Sequence, residues 1–213
     1  MVKFRLFGIP VTIEPWFWLT LALLGGAFYA RTTAEIFDVA LFVLAGGISV
    51  LVHELGHALT GRAFGASSEI VLRAFGGYAS FPGRRFTRVQ DFVVTLAGPA
   101  VQIVLGLAAL ALIMFVNLPT EASKSFVGAM ATVSLFWAIL NLLPVIPLDG
   151  GRLVLAVLGP KRERLALWIS LVTALLVAVG MLLVSGGKDI IFPIFLAQFA
   201  FENWKMLQAY RQF

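Results

Sequence analysis

The chain has no cysteine, only two histidines in 213 residues, and charged side chains at just 13% of positions. Without cysteine, disulfides and thiolate metal sites are excluded. Ordinary soluble domains carry about a quarter charged residues, so the scarcity of charge argues against a soluble globular class. Apolar residues take its place: 60% of the chain is hydrophobic and the mean hydropathy is +0.96. An integral membrane protein is expected. The net charge of +5 is compatible with nucleic-acid binding, but the basic residues are scattered between apolar runs. They read as topology signals, and no nucleic-acid partner is expected.

About 20 apolar residues cross the hydrocarbon core as a helix. Residues 92–116, 126–148 and 165–187 are uncharged runs of at least this length. Residues 39–64 form a further apolar stretch interrupted by His53, Glu54, His57 and Arg62, while 15–30 is short and rich in Trp and Phe. Residues 190–210 continue an apolar run past Glu202. The expected fold class is an all-α polytopic membrane protein, a single domain over 1–213 with about six transmembrane helices at these positions. A small membrane-associated β-sheet or hairpin is expected from 5–14, with β-branched alternation between prolines, and from 67–86, where Gly76-Gly77 suggests a hairpin turn. Irregular backbone near a bilayer must be covered by protein or face water, so these strands point to a cavity.

Lys and Arg set the orientation. With the N-terminus in the cytosol, every basic residue except Arg31, Lys124 and Lys188 falls on the cytosolic side, and 31–38, 118–125 and 185–189 lie outside. The first fifteen residues have no apolar core before their prolines, so no cleavable signal peptide is expected. The distribution suits a prokaryotic plasma membrane.

Both histidines fall in "LVHELGHALT", residues 51–60. His53 and His57 stand at i and i+4, so on a helix they share one face and can bind one metal ion. Glu54 is placed to reach a water on that metal rather than the metal itself. This is the H-E-x-x-H pattern of zinc hydrolases, in which the metal lowers the pKa of water to about 7 and the glutamate takes its proton. Many soluble helices carry the pattern by chance. Within a membrane span, however, each ionisable group costs roughly 2.5–3.5 kcal/mol, and such groups are functional by default.

Catalytic zinc takes three protein ligands, and with the histidines used the third is a carboxylate. Asp149 stands apart from the other acidic residues: it follows the uncharged run in "NLLPVIPLDGGR", just after Pro144 and Pro147. The alternative is that Asp149-Gly150 is only a turn, with Asp149 capping the next short helix.

The pairing of His53-Glu54-Leu55-Gly56-His57 with "NLLPVIPLDGG" two spans later resembles the site-2 proteases, intramembrane zinc metalloproteases. The six-span layout and Phe75-Gly76-Gly77 are similar too. The resemblance is to a minimal form, because no PDZ or CBS domain is expected here. It implies one zinc per chain, held by His53, His57 and Asp149, with Glu54 as general base. It also implies that Asn141 lines the active site, holding substrate or stabilising the oxyanion. Substrates would be single-pass transmembrane proteins, cleaved within or near the span, and the lipid bilayer is the medium. Gly98-Pro99 matches a family feature, whereas Gln102 stands where asparagine is frequent, which puts the polar contact of that position in question. Two other functions compete: a divalent-cation transporter, which would use Glu54 as a further ligand, and a catalytically inactive relative that binds membrane proteins.

Overall fold

The computed structural model describes residues 1–74, 76–188 and 190–210. Phe75 of the expected Phe-Gly-Gly segment, Asp189 of an expected outer loop and Arg211 of the basic count lie outside the described residues. The chain forms two compact units: residues 1–86 with 96–139, and residues 87–95 with 140–213.

The first unit opens with a hairpin, β1 (Val2–Leu6) antiparallel to β2 (Ile9–Ile13). Phe7 and Gly8 turn it with φ of 51° and 79°, the positive values that a two-residue hairpin loop requires. Ile9, Val11 and Ile13 all face one side and are buried, as a period of two dictates. β2 then pairs in parallel with β3 (Glu69–Arg73), which pairs antiparallel with β4 (Gly76–Ser80). The two expected β segments are thus one four-stranded sheet, ordered β1-β2-β3-β4. One expectation needs correction. Gly76 and Gly77 do not make the turn but open β4, opposite Arg73 and Leu72. The sheet's apolar side packs on Phe17 and Leu21 of α1 (Pro15–Leu24) and on Val50 and Ala58 of α2 (Thr33–Ala63).

α2 starts at a capping box, in which the Thr32 hydroxyl accepts from the Glu35 amide and the Glu35 carboxylate accepts from the Thr32 amide. At 31 residues it is about 46 Å long at 1.5 Å per residue, ample for a bilayer. α3 (Arg88–Phe115) and α4 (Glu121–Asn141) contribute residues 96–139 to this unit. Small residues permit close packing between them. A β-carbon on Gly106 would lie 2.7 Å from Leu135 Cγ.

In the second unit α4 ends at Asn141, and a loop through Pro144 and the cis Ile146-Pro147 bond leads to α5 (Asp149–Leu158). A single 3-10 turn (Pro160–Arg162) precedes α6 (Glu163–Ser185), which is followed by α7 (Ile191–Ala209). Val145, Ala174 and Ala200 form the core of this unit.

Four helical segments among the described residues are long and apolar enough to span a membrane: α2, α3, α4, and α6 with its preceding turn. The expectation of about six is met only to that extent. α1 has ten residues, about 15 Å, against a core about 30 Å thick. α7 is long enough but carries Gln198, Glu202, Asn203, Lys205 and Gln208. The expected span at 126–148 is displaced, because the helix starts earlier, at Glu121, and stops at Asn141 before the prolines.

Candidate metal centre

His53, Glu54 and His57 lie late in α2 and are all buried. Uninterrupted helix brings the two imidazoles to one face, with Nε2 of His53 3.0 Å from Nε2 of His57 and the rings nearly perpendicular, at 82°. Two nitrogens each about 2.05 Å from a tetrahedral zinc stand about 3.3 Å apart. The observed separation is close to that, so the pair fits a shared ion.

The other face of His53 is fixed by Gln102 of α3. The Gln102 amide Nε2 donates to the Ser49 hydroxyl at 2.9 Å and lies 3.4 Å from the Ser49 carbonyl. Its Oε1 therefore faces His53 Nδ1, at 2.9 Å. An amide oxygen only accepts, so Nδ1 carries the proton and the Nε2 lone pair is directed away from Gln102, towards His57. Ser49 in turn contacts the Ser134 hydroxyl of α4 at 2.9 Å. Gln102, Ser49 and Ser134 are each fully buried. The polar contact at residue 102 that the sequence left in question is made, through glutamine. Neither serine was singled out from the sequence, although Ser49, His53 and His57 repeat at i, i+4, i+8 along an apolar helix, which is a readable signal of one polar face.

Glycines admit the surrounding backbone. A β-carbon on Gly98 would stand 2.3 Å from His57 Nε2, and one on Gly56 2.7 Å from the Ala97 carbonyl. α2 and α3 thus approach closely at the level of the histidines, with the His57 ring against Gly98 and the Ala97 carbonyl and Val101 side chain against Gly56. On the opposite side β4 closes over the glutamate, since a β-carbon on Gly77 would meet Glu54 Cγ at 2.9 Å and Oε1 at 3.0 Å.

In the second unit Asp149 is the first residue of α5 and is buried. Leu148, not Asp149, is the N-cap, with φ −64° and ψ 161°. The capping alternative therefore does not hold, although the turn and the short helix it supposed are both present. At this position the carboxylate lies near the positive end of the helix, where anions are favoured. Gly150 and Gly151 are required by the returning loop: β-carbons there would lie 2.2 Å from the Leu142 carbonyl and 2.5 Å from the Ile146 nitrogen. Asn141 is the last residue of α4 and is half-buried. Of the expected site residues, then, His53, Glu54 and His57 gather in the first unit, while Asn141 and Asp149 flank one loop in the second.

The profile of Peptidase family M50 matches residues 41–124 and 116–184, more than half of the chain and all five of these positions. The chain belongs to peptidase family M50. Among relatives, a putative zinc metalloprotease of Synechocystis sp., sll0528, is 35% identical over 165 residues, covering 70% of this chain and 41% of that protein. The zinc metalloprotease MJ0392 of Methanocaldococcus jannaschii is 29% identical over 159 residues, 74% of this chain and 45% of that one. The chain thus spans less than half the length of these relatives. The solved structure of a site-2 protease from Methanocaldococcus jannaschii is similar in fold, with a TM-score of 0.67 over 97% of this chain and 94% of that one at 23% identity. Together with its apolar helices, membership of family M50 makes this chain an integral membrane protein.

Proposed function

We propose that this M50 member is an intramembrane zinc metalloendopeptidase that hydrolyses a peptide bond within or near the transmembrane segment of single-pass membrane proteins. The observation that carries the reading is the approach of His53 and His57 through their Nε2 atoms at 3.0 Å, one residue along from a buried glutamate. His53, His57 and Asp149 hold one zinc per chain. Each is buried and offers one ligand atom, and two imidazoles with a carboxylate are a donor set that suits zinc and leaves one position open. Bound there, zinc supplies Lewis acidity that polarises the scissile carbonyl and acidifies water.

Glu54 takes a proton from the attacking water as its oxygen bonds to the carbonyl carbon. It then returns that proton to the leaving nitrogen as the C–N bond breaks. Asn141 donates from its amide to the substrate or to the oxygen that gains charge. An intact substrate helix satisfies its own backbone hydrogen bonds, so the substrate must unwind near helix-weakening residues such as Gly, Asn or Pro. β4 ends the sheet order, and an edge strand can receive an extended segment. The basic-residue distribution supports a cytosolic N-terminus and active-site side in a prokaryotic plasma membrane.

Purified protein incubated with a panel of single-pass substrates, with and without chelator, tests this reading. About one zinc per chain, cleavage abolished by chelator, and cuts inside the span are expected. Glu54→Gln should retain zinc and lose about 10²–10⁴-fold in rate. Loss of zinc together with activity in that variant would indicate a metal-transport site instead.

A further inference from the structure

The structure assigns a positioning role to Asn203 of α7, together with Ser170 of α6: they clamp the peptide of Ile146 and so place the Asp149 carboxylate. The inference rests on the reading that Asp149 is a zinc ligand. It concerns the last helix of the chain, which contributes none of the expected site residues.

Asn203 is fully buried and Ser170 nearly so. The Asn203 amide donates to the Ile146 carbonyl at 2.7 Å and to the Phe199 carbonyl at 2.7 Å. The Ser170 hydroxyl accepts from the Ile146 amide at 3.1 Å. Both polar groups of one loop residue are therefore held, each by a different helix. The Val145–Ile146 peptide in turn rests directly on α5, since a β-carbon on Gly151 would lie 2.5 Å from the Ile146 nitrogen. Between the clamp and Asp149 there are only Pro147 and Leu148.

The far end of α5 is fixed as well. Arg88 donates from Nε to the Ala156 carbonyl at 3.0 Å and from Nη2 to the Val157 carbonyl at 2.6 Å. With both ends of a ten-residue helix tied, the position of its first residue follows from the ties. Asn203 Oδ1 is buried and makes no hydrogen bond. An apolar side chain of similar volume would avoid that desolvation, so the amide is kept for what its nitrogen does.

Groups that orient a metal ligand matter about 10–100-fold to metal affinity, and this can be read without substrate. Full-length protein in detergent is loaded with zinc and titrated with a chelator of known affinity. Asn203→Leu and Ser170→Ala should each weaken zinc binding about 10–100-fold, and Asp149→Ala by at least as much. In the Asp149→Ala background, Asn203→Leu should weaken it no further, because the ligand it positions is gone. Tyr210→Phe removes a different contact between the α6 and α7 ends, that of the Tyr210 hydroxyl with Glu163. It should leave zinc affinity unchanged.

Wild-type affinity in Asn203→Leu overturns the clamp, as does wild-type affinity in Ser170→Ala should the leucine variant not fold. Equal weakening by Tyr210→Phe, or additive weakening on top of Asp149→Ala, also overturns it by revealing only general helix packing. Wild-type affinity in Asp149→Ala is a separate result. It removes Asp149 from the ligand set, and the clamp falls with it.

Discussion

Gly77 of β4 lies against Glu54 of α2 so closely that a β-carbon on residue 77 would sit 3.0 Å from the carboxylate oxygen Oε1. The edge strand and the proposed base are therefore in one packed unit, and a change in the strand is felt at the carboxylate. The same β-carbon would meet Leu72 Cδ2 at 2.6 Å, and Leu72 is fully buried, so displacement towards the sheet is blocked.

Gly77→Ala is accordingly expected to move Glu54. A misplacement of about 1 Å costs on the order of 10²-fold in rate. Overpacking should also lower stability by about 1–3 kcal/mol. Zinc content should be retained, because the atoms nearest a β-carbon at residue 77 belong to Leu72 and Glu54 and not to either histidine. Peptidase assays beside elemental analysis check this, and loss of zinc in step with rate would contradict it.

Gln102→Leu removes the acceptor that holds His53 Nδ1 and the donor to Ser49. Zinc affinity should fall about 10–100-fold, with about 1–3 kcal/mol lost in stability from the unpaired groups. Gln102→Glu keeps an acceptor beside Nδ1, the carboxylate–histidine arrangement common behind metal ligands. It should bind zinc more tightly than the leucine variant. Equal zinc affinities in the two variants would show that the acceptor is not what matters.

Gly98→Ala places a methyl group 2.3 Å from His57 Nε2, whereas the helix glycine Gly128 has nothing within 4 Å of its β-carbon position. The first change should displace the imidazole and reduce zinc retention by at least tenfold, a loss of about 1.4 kcal/mol or more in binding. The second should leave zinc unchanged and gain up to about 1 kcal/mol from helix propensity. Chelator titration and thermal melting of both variants decide it.

Orientation is testable directly, since the chain has no cysteine to interfere. Thr33 and Ser67 are both exposed. A cysteine at Thr33 should react with a membrane-impermeant thiol reagent in intact cells, and one at Ser67 only after lysis. The reverse pattern would place the metal centre towards the outer face.

Much of this protein was legible as sequence because the rules involved are local. Apolar length located α2, α3 and α6, and the i, i+4 spacing placed His53 and His57 on one face before any packing was known. Asp149 was singled out by its position after an uncharged, proline-broken run. The i, i+4 register needs nothing but helical geometry, which Gly56 does not disturb.

Other features depended on partners distant in the chain. The parallel pairing of β2 with β3 joins residues 11–13 to 70–72, and nothing in either segment names the other. The register of β3 with β4 likewise leaves Gly76 and Gly77 opening β4, and at Gly77 Glu54 leaves no room for a side chain. The tautomer of His53 is set by Gln102 and Ser49, and the loop before Asp149 by Ser170 and Asn203. A lone serine or amide in an apolar helix does not reveal which carbonyl or ring it will meet. Sequence alone singled out the side chains proposed to carry the chemistry, through residue type and helical spacing. Only the tertiary structure decided what holds them in orientation, because hydrogen bonds and close backbone approaches form between elements whose adjacency is settled by packing.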